Sequence, residues 1–129
     1  MVIGTGIDIV EIKRIEKALQ KEAFAQRFFA QAEIAYCEAR KNAKYQSYAA
    51  RFAGKEAFVK ALGTGFRTGE LTEISIENDE LGCPQIILAG KYLEIANEKG
   101  VGKVHISLSH SQEYAVAQVV LEGKHETGI

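Results

Sequence analysis

Tyr48-Ala49-Ala50-Arg51-Phe52-Ala53-Gly54-Lys55-Glu56-Ala57-Phe58-Val59-Lys60-Ala61-Leu62, closed by Gly63-Thr64-Gly65, is the stretch on which the fold turns. Its spacing predicts a long helix over 48–62, ended where glycine can take the left-handed conformation without a Cβ penalty. On a helical wheel Glu56 falls on the arc of Tyr48, Ala49, Phe52, Ala53 and Val59, with Lys60 near its edge. The opposite flank carries Phe58 and Leu62 together with Arg51 and Lys55. A helix that is apolar nearly all round belongs at the centre of a molecule. Its charges must then be paired or solvated through a cleft, because a bare buried charge costs several kcal/mol.

Upstream, residues 2–10 alternate as a strand, with Ile3, Thr5, Ile7 and Ile9 on one side and Val2, Gly4, Gly6, Asp8 and Val10 on the other. Asp8 therefore lies on the glycine side. Residues 11–21 show helical spacing: Ile12, Ile15 and Leu19 make an apolar stripe, and Lys13, Lys17 and Lys21 repeat at every fourth position. With Arg14 these lysines form a basic edge, interleaved with Glu11, Glu16 and Glu22. Such an edge is either a solvated face or a binding surface. Residues 24–40 read as a short helical turn followed by a helix opening near Gln31, and 42–47 as a polar connection.

Downstream, residues 74–76 alternate as a strand, 78–82 supply turn residues, and Pro84 opens a second strand over 85–88. The two are expected to pair. A helix over 90–99, stopped by Gly100, leads to alternating runs at 103–110 and 114–121 joined by Ser111-Gln112-Glu113, a second hairpin. After Gly123 a loose tail is expected. The pattern as a whole is α+β, an antiparallel sheet packed on the long central helix.

A chain of 129 residues, 47% of them hydrophobic, can bury a core as one domain spanning 1–129. Its formal net charge of -1 gives no reason to expect nucleic acid or an anionic membrane as partner. Cys37 and Cys83 stand in no metal-finger or CxxC spacing, and a reducing compartment fits them. The N-terminal stretch lacks the basic region of a signal peptide, and no apolar run approaches the roughly 20 residues of a membrane span. A cytoplasmic protein is the expectation.

Two readings of Asp8 and Glu56 stand side by side. In one, Glu56 and Lys60 make an ordinary helical pair worth about 0.2–0.5 kcal/mol while Asp8 caps the helix that follows it. In the other, both carboxylates are oxygen ligands of one hard cation, since magnesium takes one or two carboxylates plus waters and substrate phosphates. Ser107, Ser109, His110 and Ser111 crowd the end of a strand, where hydroxyls and an imidazole can bond phosphate or adenine, although turns collect serine for their own geometry. No serine or cysteine nucleophile with a matching acid accompanies His110. Neither Gly4-Thr5-Gly6 nor Gly63-Thr64-Gly65 is a P-loop, because the closing lysine and hydroxyl are absent.

Taken together, Gly4-Thr5-Gly6-Ile7-Asp8-Ile9-Val10-Glu11 and Arg51 through Gly65 resemble the two signature segments of bacterial holo-acyl-carrier-protein synthases, phosphopantetheinyl transferases. Gly82-Cys83-Pro84 is similar to that family's Gly-x-Pro turn, and 106–118 to its C-terminal hairpin, so the likeness covers essentially the whole chain. The resemblance implies an α+β homotrimer with active sites between subunits, coenzyme A and Mg2+ as ligands, and apo-acyl carrier protein as second substrate, in support of fatty acid biosynthesis. Asp8 and Glu56 become the metal ligands, and Lys60 a charge partner of the pyrophosphate. Arg51, Gly63, Ser109, His110 and Ser111 become coenzyme A contacts. Lys13, Arg14, Lys17 and Lys21 become the docking edge for the acidic carrier.

The implied reaction moves 4'-phosphopantetheine onto a carrier serine and releases adenosine 3',5'-bisphosphate, with Glu56 or a metal-bound water taking the serine proton. Two positions depart from the family pattern. Gly54 replaces a usual alanine, which should loosen the helix by up to about 1 kcal/mol. Ala30 replaces a hydroxyl residue upstream of Glu33, leaving Glu33 without an assigned role. The rival readings are a metal-dependent hydrolase acting on a pyrophosphate and a non-catalytic trimeric binding module.

Overall fold

The computed structural model describes residues 1–65 and 68–124. Strand β1 (Val2–Glu11) leads into helices α1 (Ile12–Ala18), α2 (Glu22–Phe28) and α3 (Gln31–Ala39), a 3-10 turn (Lys41–Ala43) and the long helix α4 (Lys44–Leu62). The hairpin β2 (Ile74–Asn78) and β3 (Pro84–Leu88), helix α5 (Gly90–Glu98), and the hairpin β4 (Val101–His110) and β5 (Tyr114–Gly123) complete it. Both hairpins appear where alternation and turn residues predicted them. Strands β1, β5 and β4 form an antiparallel sheet with β5 in the middle, and β2 and β3 a separate antiparallel pair.

Helix α4 packs on β1 and β5. Its small residues Ala49, Ala53 and Ala57 are fully buried and let a strand come against the helix backbone. The strand side of that contact must also be small. A Cβ on Gly6 would lie 1.9 Å from the Ala57 carbonyl oxygen, and one on Gly4 2.2 Å from that of Ala61. The glycine side of β1 is therefore the core side, and Asp8 comes inward with it. The isoleucine side is left outside, with Ile7 62% and Ile9 64% exposed. Alternation predicted the strand; backbone contact decided which side is buried.

Gly63, at φ 82°, ends α4 as expected, its N–H donating to the Val59 and Lys60 carbonyls. The polar connection expected over 42–47 is overturned: α4 begins at Lys44, directly after the 3-10 turn. No glycine or proline in that segment stops a helix, so polar composition alone misplaced the boundary. The short turn expected in 24–40 is the separate helix α2, and the basic helix ends at Ala18, so Lys21 caps α2 instead of closing α1. The tail expected beyond Gly123 lies, from residue 125, outside the described residues.

The charges of α4 find their partners within the fold. Lys55 and Glu33 are fully buried, 2.6 Å apart. Lys55 Nζ also donates to the carbonyls of Leu71, at 2.9 Å, and Ile74. Glu33 accepts the backbone N–H groups of Ala30 at 2.9 Å and Ile76 at 3.0 Å. One satisfied network thus ties α3, α4 and β2 together. Gly54 has a packing cause as well: a Cβ there would meet the end of Ile76 at 2.4 Å. Cys37 is buried and Cys83 exposed, both as free thiols. Among the described residues no helix is long and apolar enough to cross a membrane.

Candidate active site

Asp8 sits in mid-strand opposite Ala117 and is 9% exposed. Its Oδ1 takes an ion pair from Lys60 Nζ at 3.0 Å, and the same ammonium donates to the Ile7 carbonyl at 3.1 Å. Its Oδ2 is buried and accepts no hydrogen bond. Glu56, one turn before Lys60, is half-buried. Burial first, and then the adjoining Asp8 carboxylate, push its carboxyl up to about 7, against the pull of Lys60 and Arg14.

The pairing expected within the helix gives way here. The ion pair of Lys60 is with Asp8 across the strand–helix contact. Asp8 caps nothing, because α1 starts at Ile12 with Glu11 in the cap position and no side-chain cap bond. Two crowded carboxylates, one with a buried oxygen lacking any donor, are a donor set that fits a hard divalent cation. Among the described residues no cluster of three or more His, Cys, Asp or Glu could hold a metal. Two carboxylates would leave the remaining positions to water and phosphate oxygens. A cleft of about 200 Å³ lined by Glu56, Val59, Lys60 and Gly65 adjoins them, and Gly63 closes the helix beside it.

Lys13, Arg14, Lys17 and Lys21 are all exposed. Arg14 is near enough for its charge to act on Glu56. Arg14 is thus the member of that edge placed toward the carboxylate pair.

Arg51, 4% exposed, belongs to a different cleft. A cavity of about 300 Å³ is lined by Tyr36, Arg40, Arg51, Asn78, Ser109 and His110 among others. The Arg51 guanidinium lies 4.2 Å from the centroid of the Tyr36 ring, and its Nη2 donates to Asn78 Oδ1 at 3.3 Å. Asn78 Nδ2 in turn donates to Tyr36 Oη at 3.0 Å. Ser111 is occupied by its own turn, its Oγ accepting the N–H groups of Glu113 and Tyr114 at 3.3 and 3.1 Å.

The structure thus gathers Asp8, Glu56 and Lys60 at one place and Arg51, Ser109 and His110 at another. The two clefts share no lining residue. Tyr36, Arg40 and Asn78 went unmarked in the sequence. The one local signal was the spacing of Tyr36 and Arg40, four apart at the end of a helix, where an aromatic and a guanidinium meet on one face.

Residues 4–119 match the family model of the 4'-phosphopantetheinyl transferase superfamily. The chain belongs to that superfamily. The holo-acyl-carrier-protein synthase of Trichlorobacter lovleyi is 51% identical to this transferase over 125 residues, 95% of this chain and 98% of the relative. The crystal structure of the holo-acyl-carrier-protein synthase from Neisseria meningitidis matches with a TM-score of 0.86 at 35% identity, covering 95% of this chain and 99% of that one. The synthase from Bacillus anthracis, solved in complex with CoA (3',5'-ADP), matches with a TM-score of 0.81 at 39% identity over 96% of this chain and 99% of that one. The α+β fold of this transferase, antiparallel sheets with packed helices, is the fold of those synthases.

Proposed function

We propose that this chain is a holo-acyl-carrier-protein synthase: one phosphopantetheinyl transferase domain that moves 4'-phosphopantetheine from coenzyme A to a serine of apo-acyl carrier protein. Adenosine 3',5'-bisphosphate leaves, and the product serves fatty acid biosynthesis in the cytoplasm. The observation that carries the reading is the buried Asp8 oxygen without a donor, beside Glu56 and Lys60, in a chain that named synthases match over 95% of its length.

Asp8 and Glu56 would hold a magnesium ion, which when bound supplies charge neutralisation to the phosphates. Lys60 adds a mobile positive charge at the same edge, held by Asp8 until a phosphate competes for it. Glu56 is assigned the proton of the attacking hydroxyl. Arg51, Ser109 and His110 bind the adenosine end of coenzyme A, and the basic edge of α1 receives the acidic carrier beside the carboxylates. Phosphoryl transfer needs mainly such positioning and charge.

A homotrimer with active sites between subunits accounts for the two separate clefts, each site joining the carboxylate cleft of one copy to the Arg51 cleft of the next. The exposed Ile3, Ile7 and Ile9 of β1 are an apolar surface suited to that contact. The test is mass spectrometry of an apo-acyl carrier protein incubated with this protein, coenzyme A and Mg2+, with a parallel sample in EDTA. The phosphopantetheine mass should appear with metal and not with EDTA. Release of phosphopantetheine to water, with no carrier modified, would overturn the reading in favour of a hydrolase.

A further inference from the structure

We infer that Tyr36 is a positioning residue for coenzyme A: with Asn78 it holds the Arg51 guanidinium at the cavity while leaving its charge uncancelled. The inference rests on the reading of that cavity as part of the coenzyme A site. An arginine that is 4% exposed is ordinarily fixed by a carboxylate, which neutralises it. Here no such partner exists: among the described residues neither Arg51 nor Arg40 makes an ion pair.

The restraint comes from neutral groups instead. The Tyr36 ring stands 4.2 Å under the guanidinium, and the Asn78 amide bonds Arg51 through its oxygen and Tyr36 through its nitrogen. Three residues from α3, α4 and β2 close a triangle that fixes the plane of the guanidinium and consumes one of its five N–H donors. Arg51 Nε remains buried without an acceptor. The second guanidinium, Arg40, lies 5.7 Å from the same ring. Two uncancelled positive charges on one neutral ring make the cavity a receptor for a phosphate-bearing ligand, and the ring sets where the better buried of the two points.

A positioning role separates from a merely structural one in the kinetics. Transfer to apo-acyl carrier protein is measured against coenzyme A concentration for Tyr36→Leu, Tyr36→Phe, Asn78→Ala and Arg51→Ala, and for Tyr36→Leu combined with Arg51→Ala. Losing the ring in Tyr36→Leu should raise KM for coenzyme A about tenfold, while Tyr36→Phe, which keeps the ring face, stays within about threefold. The loss falls on KM rather than kcat, and Tyr36→Leu adds nothing once Arg51 is alanine. Should Tyr36→Leu fail to fold, Asn78→Ala carries the same test, with KM expected to rise about threefold. If Arg51→Ala raises KM and the Tyr36 and Asn78 variants do not, or if their effects add to it, the inference is wrong and the cleft reading stands. If Arg51→Ala itself leaves KM unchanged, the cleft assignment falls and the inference with it.

Discussion

Replacing Glu56 by glutamine should make the metal-free protein more stable at pH 8 than the parent chain, with most of that gain gone at pH 5. The Glu56 carboxyl is pushed from its ordinary 4.5 up to about 7, first by burial and then by Asp8. A raised carboxyl contributes stability that is fully present below 4.5 and is lost as pH rises through about 7, since the unfolded chain ionises first. At about 1.4 kcal/mol per pH unit the interval sets a ceiling of about 3 kcal/mol. Solvent reaches the half-buried site, and screening brings the expected loss to about 1–2 kcal/mol. Glutamine, never ionised, does not suffer it. The assay is urea unfolding in EDTA at pH 5 and pH 8 for both proteins. Adding Mg2+ at pH 8 should then stabilise the parent chain and not Glu56→Gln, because an ion bound only by the folded state shifts the equilibrium toward it. Equal stabilities at both pH values, together with equal stabilisation by Mg2+, would refute the crowded-carboxylate argument.

Three other perturbations follow from the same contacts. Lys55→Met strands the fully buried Glu33 carboxylate and should cost about 3–5 kcal/mol in urea unfolding, whereas Lys55→Met combined with Glu33→Leu should recover part of it. Gly6→Ala places a methyl against the Ala57 carbonyl, a backbone atom that cannot step aside, and should cost about 3 kcal/mol or more, read as a drop in Tm. Reversing Arg14 and Lys17 to glutamate should raise KM for apo-acyl carrier protein several-fold at low salt and leave KM for coenzyme A alone; a carrier KM that does not move would remove α1 from the docking surface.

Much of this molecule was legible along the chain. The span of α4 after Tyr48, its stop at Gly63, both hairpins and the placement of Asp8 on the glycine side of β1 all follow from local causes: periodicity, turn residues and the freedom of a missing Cβ. The start of α4 was not legible, because lysine, tyrosine and glutamine suit a helix as well as a loop. Glu33 drew no role because its meaning depends on Lys55, and the departure at Gly54 looked like a defect until Ile76 was seen to fill the space.

By itself, then, the sequence determined most of the elements, because repeating spacing and capping act within a few residues, while the family was carried by the resemblance of whole motif segments. Tertiary structure decided the partners. Lys60 lies nearest Glu56 in the chain, yet pairs with Asp8, 52 positions away. Arg51 meets Tyr36 and Asn78 from two other elements, and the candidate site residues divide between two clefts, Glu56 and Lys60 at one and Arg51, Ser109 and His110 at the other. Such pairings depend on how closely elements approach, and that distance was decided by the bare backbone of Gly4 and Gly6 against α4, a contact no local pattern encodes.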